Sequence, residues 1–237
     1  MKRISPRKRR WLPAPCHLCN RDTTEPHGLC PDCEREWRAL AGQPRCPGCG
    51  LPMPLACDDG TAPRCGACRR RPRRFDSVVT AVDLDATARH LVHRLKYHHD
   101  FSVLALLADT LLEAVRYTAE PPWPAALVPM PVHPAQRRRR GFNQAQLLAR
   151  ELGRALDIPV LDRAVRRVRD TGSLTALDAA GRRRALRGAF EADAALPGRV
   201  AIVDDVLTTG ASAEALTAVA RRAGAQEVSV WTVARTP

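Results

Sequence analysis

Two adjacent carboxylates, Asp204 and Asp205, are followed within one short stretch by Thr208, Thr209, Gly210, Ala211 and Ser212. Carboxylates cannot bind phosphate. They can accept hydrogen bonds from a diol such as the 2′- and 3′-hydroxyls of ribose, or face a divalent cation. The threonines and the serine supply hydroxyl donors, and Gly210 lets a backbone approach an anion closely. Phosphate donors placed beside diol acceptors describe a site for a 5-phosphoribosyl group.

The elements that position these groups are legible around them. Val200–Val203 is short, apolar and β-branched without alternation, as expected for a strand covered on both faces. Downstream, Leu216, Val219, Ala220 and Ala223 recur at helical spacing, and Gly224 is placed to end the helix. A strand–loop–helix junction turns unpaired N–H groups and the positive end of a helix dipole toward a bound anion.

A second string combines an apolar strand, Val128–Val132, with Arg137-Arg138-Arg139-Arg140-Gly141-Phe142-Asn143-Gln144. The strand ends in a proline-fixed turn, and four arginines then lead into a helix start. Arginine offers planar bidentate donors to phosphate oxygens, although a solvated basic loop accounts for the same residues. A third string, Leu95-Lys96-Tyr97-His98-His99-Asp100, holds the one lysine of the chain beyond Lys2 and Lys8. A compact ammonium can be required there, or Lys96 can serve the C-terminal dipole of its helix.

Eight of nine cysteines form four C-x-x-C pairs: Cys16/Cys19, Cys30/Cys33, Cys46/Cys49 and Cys65/Cys68. Two such knuckles complete a tetrahedral thiolate site, so about two Zn²⁺ ions are expected. Pairing by proximity gives Cys16/Cys19/Cys30/Cys33 and Cys46/Cys49/Cys65/Cys68; an interleaved pairing satisfies the same chemistry. Cys57 has no assigned role. The N-terminal stretch MKRISPRKRRW is basic and runs into Pro13, Pro15 and Cys16 rather than an apolar segment, which does not read as a secretory signal. No apolar run approaches the roughly 20 residues of a membrane span. Membrane insertion is therefore not expected and a cytoplasmic location is, where cysteines serve metal rather than disulfides.

The 237 residues carry a formal charge of +13, with 45% hydrophobic and 4% aromatic residues. The charge favours polyanionic partners, while few aromatics are available for stacking single strands. Residues 1–15 read as a basic, unstructured tail. Residues 16–74 hold every cysteine and lack a normal core, with a basic linker at Arg69–Arg74. Residues 75–237 alternate strands and helices. Strands are expected at about 77–84, 126–131, 199–204 and 227–234, and helices at about 86–97, 101–117, 143–156 and 211–223. The segment 163–187 gives weak signals. This order implies an α/β domain with a parallel sheet and ligands at the carboxyl ends of its strands.

IVDDVLTTGAS (residues 202–212) resembles the phosphoribosyl-pyrophosphate (PRPP) loop of type I phosphoribosyltransferases. Together with VPMP…RRGFNQA, the LKY segment and the cysteine pairs, it resembles the ComF family, associated with bacterial DNA uptake and use. The resemblance runs from Cys16 to Arg235 and is most specific at RGFNQ and IVDDVLTTGAS. It implies a type I phosphoribosyltransferase-like sheet with helices on both faces, preceded by a small Cys-rich zinc module. It also implies PRPP binding with Mg²⁺ and phosphoribosyl transfer to an unknown acceptor. Asp204 and Asp205 would hold the ribose diol and stabilise a cationic transition state, and Thr208–Ser212 would bind the 5′-phosphate. Met130, Pro131, Val132 and Arg140 would face pyrophosphate. Single-stranded DNA and the DNA-uptake machinery are the implied partners. The chain departs from the family pattern in the mobile loop, with Thr171-Gly172-Ser173-Leu174 where Thr-x-x-Gln is usual and Ala185 where Asn is usual. These departures favour the alternative of a non-catalytic PRPP sensor or single-stranded-DNA-binding module.

Overall fold

The computed structural model describes residues 12–53, 64–118, 121–171, 181 and 184–237. Cys57, Leu174 and the tail up to Trp11 lie outside the described residues. Four parallel strands form the central sheet: β3 (Ser77–Asp83), β4 (Ala126–Pro129), β7 (Arg199–Leu207) and β8 (Glu227–Arg235), in the order β3-β8-β7-β4. All four expected strands are present. Strand β7 runs past the expected end and carries Asp204 and Asp205 within its pairing to β8, where Asp204 lies opposite Thr232. The loop proper is thereby reduced to Thr208–Gly210.

Both sheet faces are covered, which explains the unalternating apolar runs. Val79, Ala81, Ala201, Val203, Trp231 and Val233 pack beneath α3 (Ala86–His98), α4 (Leu104–Thr118) and α6 (Gln144–Leu156). Val78, Val128, Val200, Ile202, Val228 and Val230 pack with α7 (Ala211–Arg222). The helix expected from residue 101 opens as a 3-10 turn at Phe101–Val103, where the Asp100 carboxylate accepts the Ser102 N–H. The four arginines do not form a loop. They end a short helix, α5 (Pro134–Arg140), which His133 caps and Gly141 terminates in the left-handed region. In the weakly patterned segment, β5 (Val165–Arg167) pairs antiparallel with β6 (Phe190–Ala192).

In the cysteine-rich part, β1 (Ala14–Pro15) pairs with β2 (Asp22–Thr23), and α1 (Pro31–Ala41) and α2 (Gly66–Arg70) each start inside a C-x-x-C pair, with its first cysteine as N-cap and its second in the helix. This part is not packed separately. Cys16, Leu29, Cys30, Cys33 and Trp37 belong to the same buried cluster as α3 and α4. Trp37 Nε1 donates to Thr110 Oγ1 on α4 at 2.8 Å, and Val78 N–H of β3 donates to Pro47 O at 2.8 Å.

Candidate functional site

The acid pair sits on a strand end that two helices approach. Lys96, on the last turn of α3, forms an ion pair with Asp205; the lysine side chain is 20% exposed and the aspartate 4%. Gln144, the first residue of α6 and itself buried, accepts from Arg140 Nη1 at 2.7 Å, and its side chain helps hold the Asp205 carboxylate in its ionised form. A polar chain Arg140–Gln144–Asp205–Lys96 therefore crosses the carboxyl end of the sheet, joining three of the sequence strings. Asp204 folds back to accept the Asp205 N–H at 2.9 Å.

Burial raises the proton affinity of both carboxyls. At Asp205 the Lys96 ammonium overcomes burial and holds the group below the usual carboxylate range. At Asp204 burial and the neighbouring Asp205 charge act together, and its pKa lies well above that range. The pair thus combines a carboxylate held ionised by Lys96 with a carboxyl of raised proton affinity.

Thr208–Gly210 links β7 to α7. Gly210 has φ 82°, a conformation favouring glycine, and is the N-cap of α7. Thr209 Oγ1 accepts the Ala211 N–H at 3.4 Å. Arg73, read as linker from the sequence, donates to the Thr209 carbonyl at 3.1 Å and to Glu214 Oε1 at 3.0 Å, bracing the outside of the loop. The strand-end turn Met130–Val132 follows β4. Buried Asn143 caps α6 by accepting the Ala145 N–H at 3.0 Å and donates its amide to Met130 O at 3.0 Å. The Arg-Gly-Phe-Asn-Gln string thus supplies a salt-chain end, a left-handed stop, a packing ring, a turn clamp and a carboxylate partner. Thr208–Ser212 and Met130–Val132 follow the carboxyl ends of the adjacent strands β7 and β4.

Arg167 of β5 is half-buried over the Phe190 ring at 5.8 Å; burial pulls its pKa down, against the charges of Asp170 and Asp204. It hydrogen-bonds Thr171 Oγ1. The 172–180 segment, including Leu174, lies outside the described residues. Ala185 is in a helical turn.

The cysteines group as Cys16/Cys19/Cys30/Cys33 and Cys46/Cys49/Cys65/Cys68, with the sulfurs of each group within 4.8 Å of one another. Pairing by proximity is therefore the arrangement adopted. Cys19 Sγ is 3.6 Å from Cys30 Sγ, and Cys49 Sγ is 3.7 Å from Cys65 Sγ. Zn–S bonds of about 2.3 Å in a tetrahedron give sulfur–sulfur edges of about 3.8 Å. The Cys30 N–H donates to Cys16 Sγ at 3.3 Å and the Cys65 N–H to Cys46 Sγ at 3.2 Å, and such amide donors stabilise metal-bound thiolates. Burial pushes the Cys33 and Cys68 thiols up, so a cation is needed to hold all four sulfurs as thiolates. Each group can hold one Zn²⁺ ion.

Over 216 residues the chain is 33% identical to competence protein F of Haemophilus influenzae, covering 88% of this chain and 91% of that protein. It belongs to the ComF family. The DNA utilization protein YhgH of Escherichia coli is 34% identical over 230 residues, covering 95% of this chain and 98% of the relative; its Shigella flexneri counterpart matches equally. No family model matches the chain. Among solved structures, a purine phosphoribosyltransferase from Pyrococcus horikoshii is 20% identical, covers 57% of this chain and 74% of its own, and gives a TM-score of 0.32.

In this ComF-family chain three residues of the site escaped sequence reading. Gln144 was inside a recognised string, and the signal was its place at a helix start four residues after Arg140. Arg73 and Arg167 carried no signal beyond their type, since the Arg73 partners Thr209 and Glu214 and the Phe190 ring under Arg167 are distant in sequence. Among the described residues no helix is long and apolar enough to cross a membrane.

Proposed function

We propose that this chain binds PRPP with Mg²⁺ at the carboxyl ends of β4 and β7 and acts in bacterial DNA uptake and utilization. The observation that carries the reading is the Arg140–Gln144–Asp205–Lys96 chain. It fixes an acid pair beside a glycine-capped helix start and a clamped strand-end turn. Thr208–Ser212 bind the 5′-phosphate, Asp204 and Asp205 the ribose diol, and Met130–Val132 with Arg140 the pyrophosphate. The hard carboxylate oxygens fit a divalent cation. Mg²⁺ there neutralises pyrophosphate charge. Lys96 keeps Asp205 anionic, so negative charge faces the anomeric carbon as its bond to pyrophosphate loosens. This electrostatic term, with positioning, is what the protein contributes to phosphoribosyl transfer to an acceptor. The zinc module of residues 16–74 and a cytoplasmic location belong to the same reading.

The relatives' names favour a DNA partner, and one surface has the chemistry for single strands. Tyr97 is 60% exposed and Phe101 50%. Phe101 packs on Phe142 at 5.0 Å, Arg140 lies over Tyr97 at 5.5 Å, and α5 presents Arg137, Arg138 and Arg139 to solvent beside them. Rings for base stacking next to phosphate-binding cations form a single-strand platform. The ten aromatics of the chain are few, but three of them are gathered here.

Calorimetric titration with PRPP, with and without Mg²⁺, tests the primary reading, followed by an assay for pyrophosphate release. Heat of binding without pyrophosphate release across acceptor bases and amines would favour a PRPP sensor over a transferase. Absence of binding would sink both.

A further inference from the structure

Two guanidinium groups lie between the Cys46/Cys49/Cys65/Cys68 group and the phosphate loop. Arg235, the last residue of β8 and only 7% exposed, donates Nε to Cys49 O at 2.8 Å. Its Nη1 donates to Leu207 O at 3.2 Å and also to Thr236 O. Arg73, three residues after α2 and its Cys68 ligand, donates Nη1 to Thr209 O at 3.1 Å and to Glu214 Oε1 at 3.0 Å. A Cβ on Gly210 would meet this guanidinium at 3.5 Å, so Arg73 lies against the loop backbone. The carbonyls on either side of Thr208 are therefore each held by an arginine. Both arginines lie within electrostatic reach of the Cys49 and Cys68 sulfurs.

A Zn²⁺ ion with four thiolates carries two net negative charges. That charge supports two guanidiniums, Arg73, which also pairs with Glu214, and the buried Arg235, whose hydrogen bonds go to backbone carbonyls. The metal also fixes the knuckle backbone from which Cys49 O projects. The first cysteine group is held differently: Arg94 Nη1 of α3 donates to His17 O of its knuckle at 2.7 Å, and among the described residues no arginine runs from it to the Thr208–Gly210 loop.

We infer that the second zinc site braces the phosphate loop through Arg235 and Arg73, which act as positioning residues, so that metal occupancy of this site sets the affinity of the loop for its phosphate ligand. The inference rests on the PRPP reading for the ligand but not for the brace. By linkage, a bound phosphate ligand slows metal loss from the second group and leaves the first unaffected.

The test uses full-length zinc-loaded protein, Cys65→Ser, Cys19→Ser, Arg73→Met and Arg73→Lys. Amide hydrogen exchange is followed over 205–214, zinc is counted, and Mg–PRPP is titrated. Cys65→Ser is expected to lose one zinc, speed exchange at 207–212 about tenfold and weaken PRPP by about tenfold, a typical coupling. Cys19→Ser is expected to lose one zinc with neither change. Arg73→Met should keep both ions yet loosen the loop, and Arg73→Lys should restore most of its protection. Arg73→Met keeps the test decisive if Cys65→Ser does not fold. Loop exchange unchanged in Arg73→Met overturns the inference, as does equal loosening by Cys19→Ser. Wild type that fails to bind PRPP overturns the ligand reading alone, and the exchange data still decide the brace.

Discussion

Lys96 and Asp205 form an ion pair between the last turn of α3 and the end of β7, with the carboxylate side chain 4% exposed. The lysine thereby does more than close a helix. It keeps a carboxylate ionised where burial alone would neutralise it, and with Gln144 it fixes that carboxylate in place.

Removing one partner of such a pair leaves an uncompensated buried charge. Lys96→Met is expected to destabilise the protein by about 3–5 kcal/mol in denaturant unfolding. Lys96→Met combined with Asp205→Asn should recover most of that loss, because neither charge remains. Additive losses in the double variant would mean that the two side chains are not coupled.

Asp204 gives a pH dependence of definite sign. Its folded pKa is raised, so in the range between the ordinary carboxylate value and the raised one the folded protein holds a proton that the unfolded chain has lost. Stability therefore falls as pH rises through this range. Ligand affinity should move the opposite way. Mg–PRPP favours the carboxylate, so binding should release up to one proton and tighten by as much as about tenfold per pH unit below the raised pKa. Titrations in buffers of different ionisation enthalpy measure that proton directly. Asp204→Asn should abolish the release, and Asp204→Asn with Asp205→Asn should lose PRPP binding, with Lys96→Met added to remove the ammonium left unpaired and keep the protein folded. A double variant that binds as wild type does would remove the loop assignment.

The strand positions were open to sequence reading because covered parallel strands write themselves as apolar runs, and Val200–Val203 does so. The cysteine groups were legible for a similar reason, as knuckle spacing is a local constraint. Arg73, Gln144 and Arg167 were not, because their roles depend on which strand ends the fold brings together. Helix α5 was missed since four consecutive arginines mask helix propensity behind charge, with Pro134 and Gly141 its only punctuation. Lys96 stood out by type alone, and a helix-end role explained it as well until Asp205 was seen opposite. The scarcity of aromatics was correct as composition but silent about Tyr97, Phe101 and Phe142 meeting on one surface.

The two cysteine groups should differ in what their loss does to the fold. Elemental analysis of protein purified without added metal is expected to give about two zinc ions per chain. Cys46→Ser should release one ion and loosen the phosphate loop while leaving the main core folded, since Cys46, Cys49 and Cys68 form a small cluster of their own. Cys30→Ser should lower the melting temperature of the whole protein, because Cys30 shares the main core with Trp37, Leu107 and Leu111. Iron in place of zinc, or a metal-free protein with unchanged melting, would refute the structural-zinc assignment.

The Tyr97–Phe101 platform makes separable claims about rings and charges. Single-stranded DNA is expected to bind weakly, without sequence preference, and less tightly as salt rises. Each phosphate neutralised contributes about −0.7 to the slope of log affinity against log salt. Arg137→Gln, Arg138→Gln and Arg139→Gln together should flatten the slope by about 2 if each meets one phosphate. Tyr97→Ala and Phe101→Ala should leave the slope unchanged and weaken binding by about 1–3 kcal/mol per lost stack. Folding of the ring variants is secure because both side chains are largely exposed. Fluorescence anisotropy with a labelled oligonucleotide across a salt series separates the two effects. A slope that flattens only when the zinc module is altered would move the DNA site there. Binding indifferent to salt would reject electrostatic capture by α5 altogether.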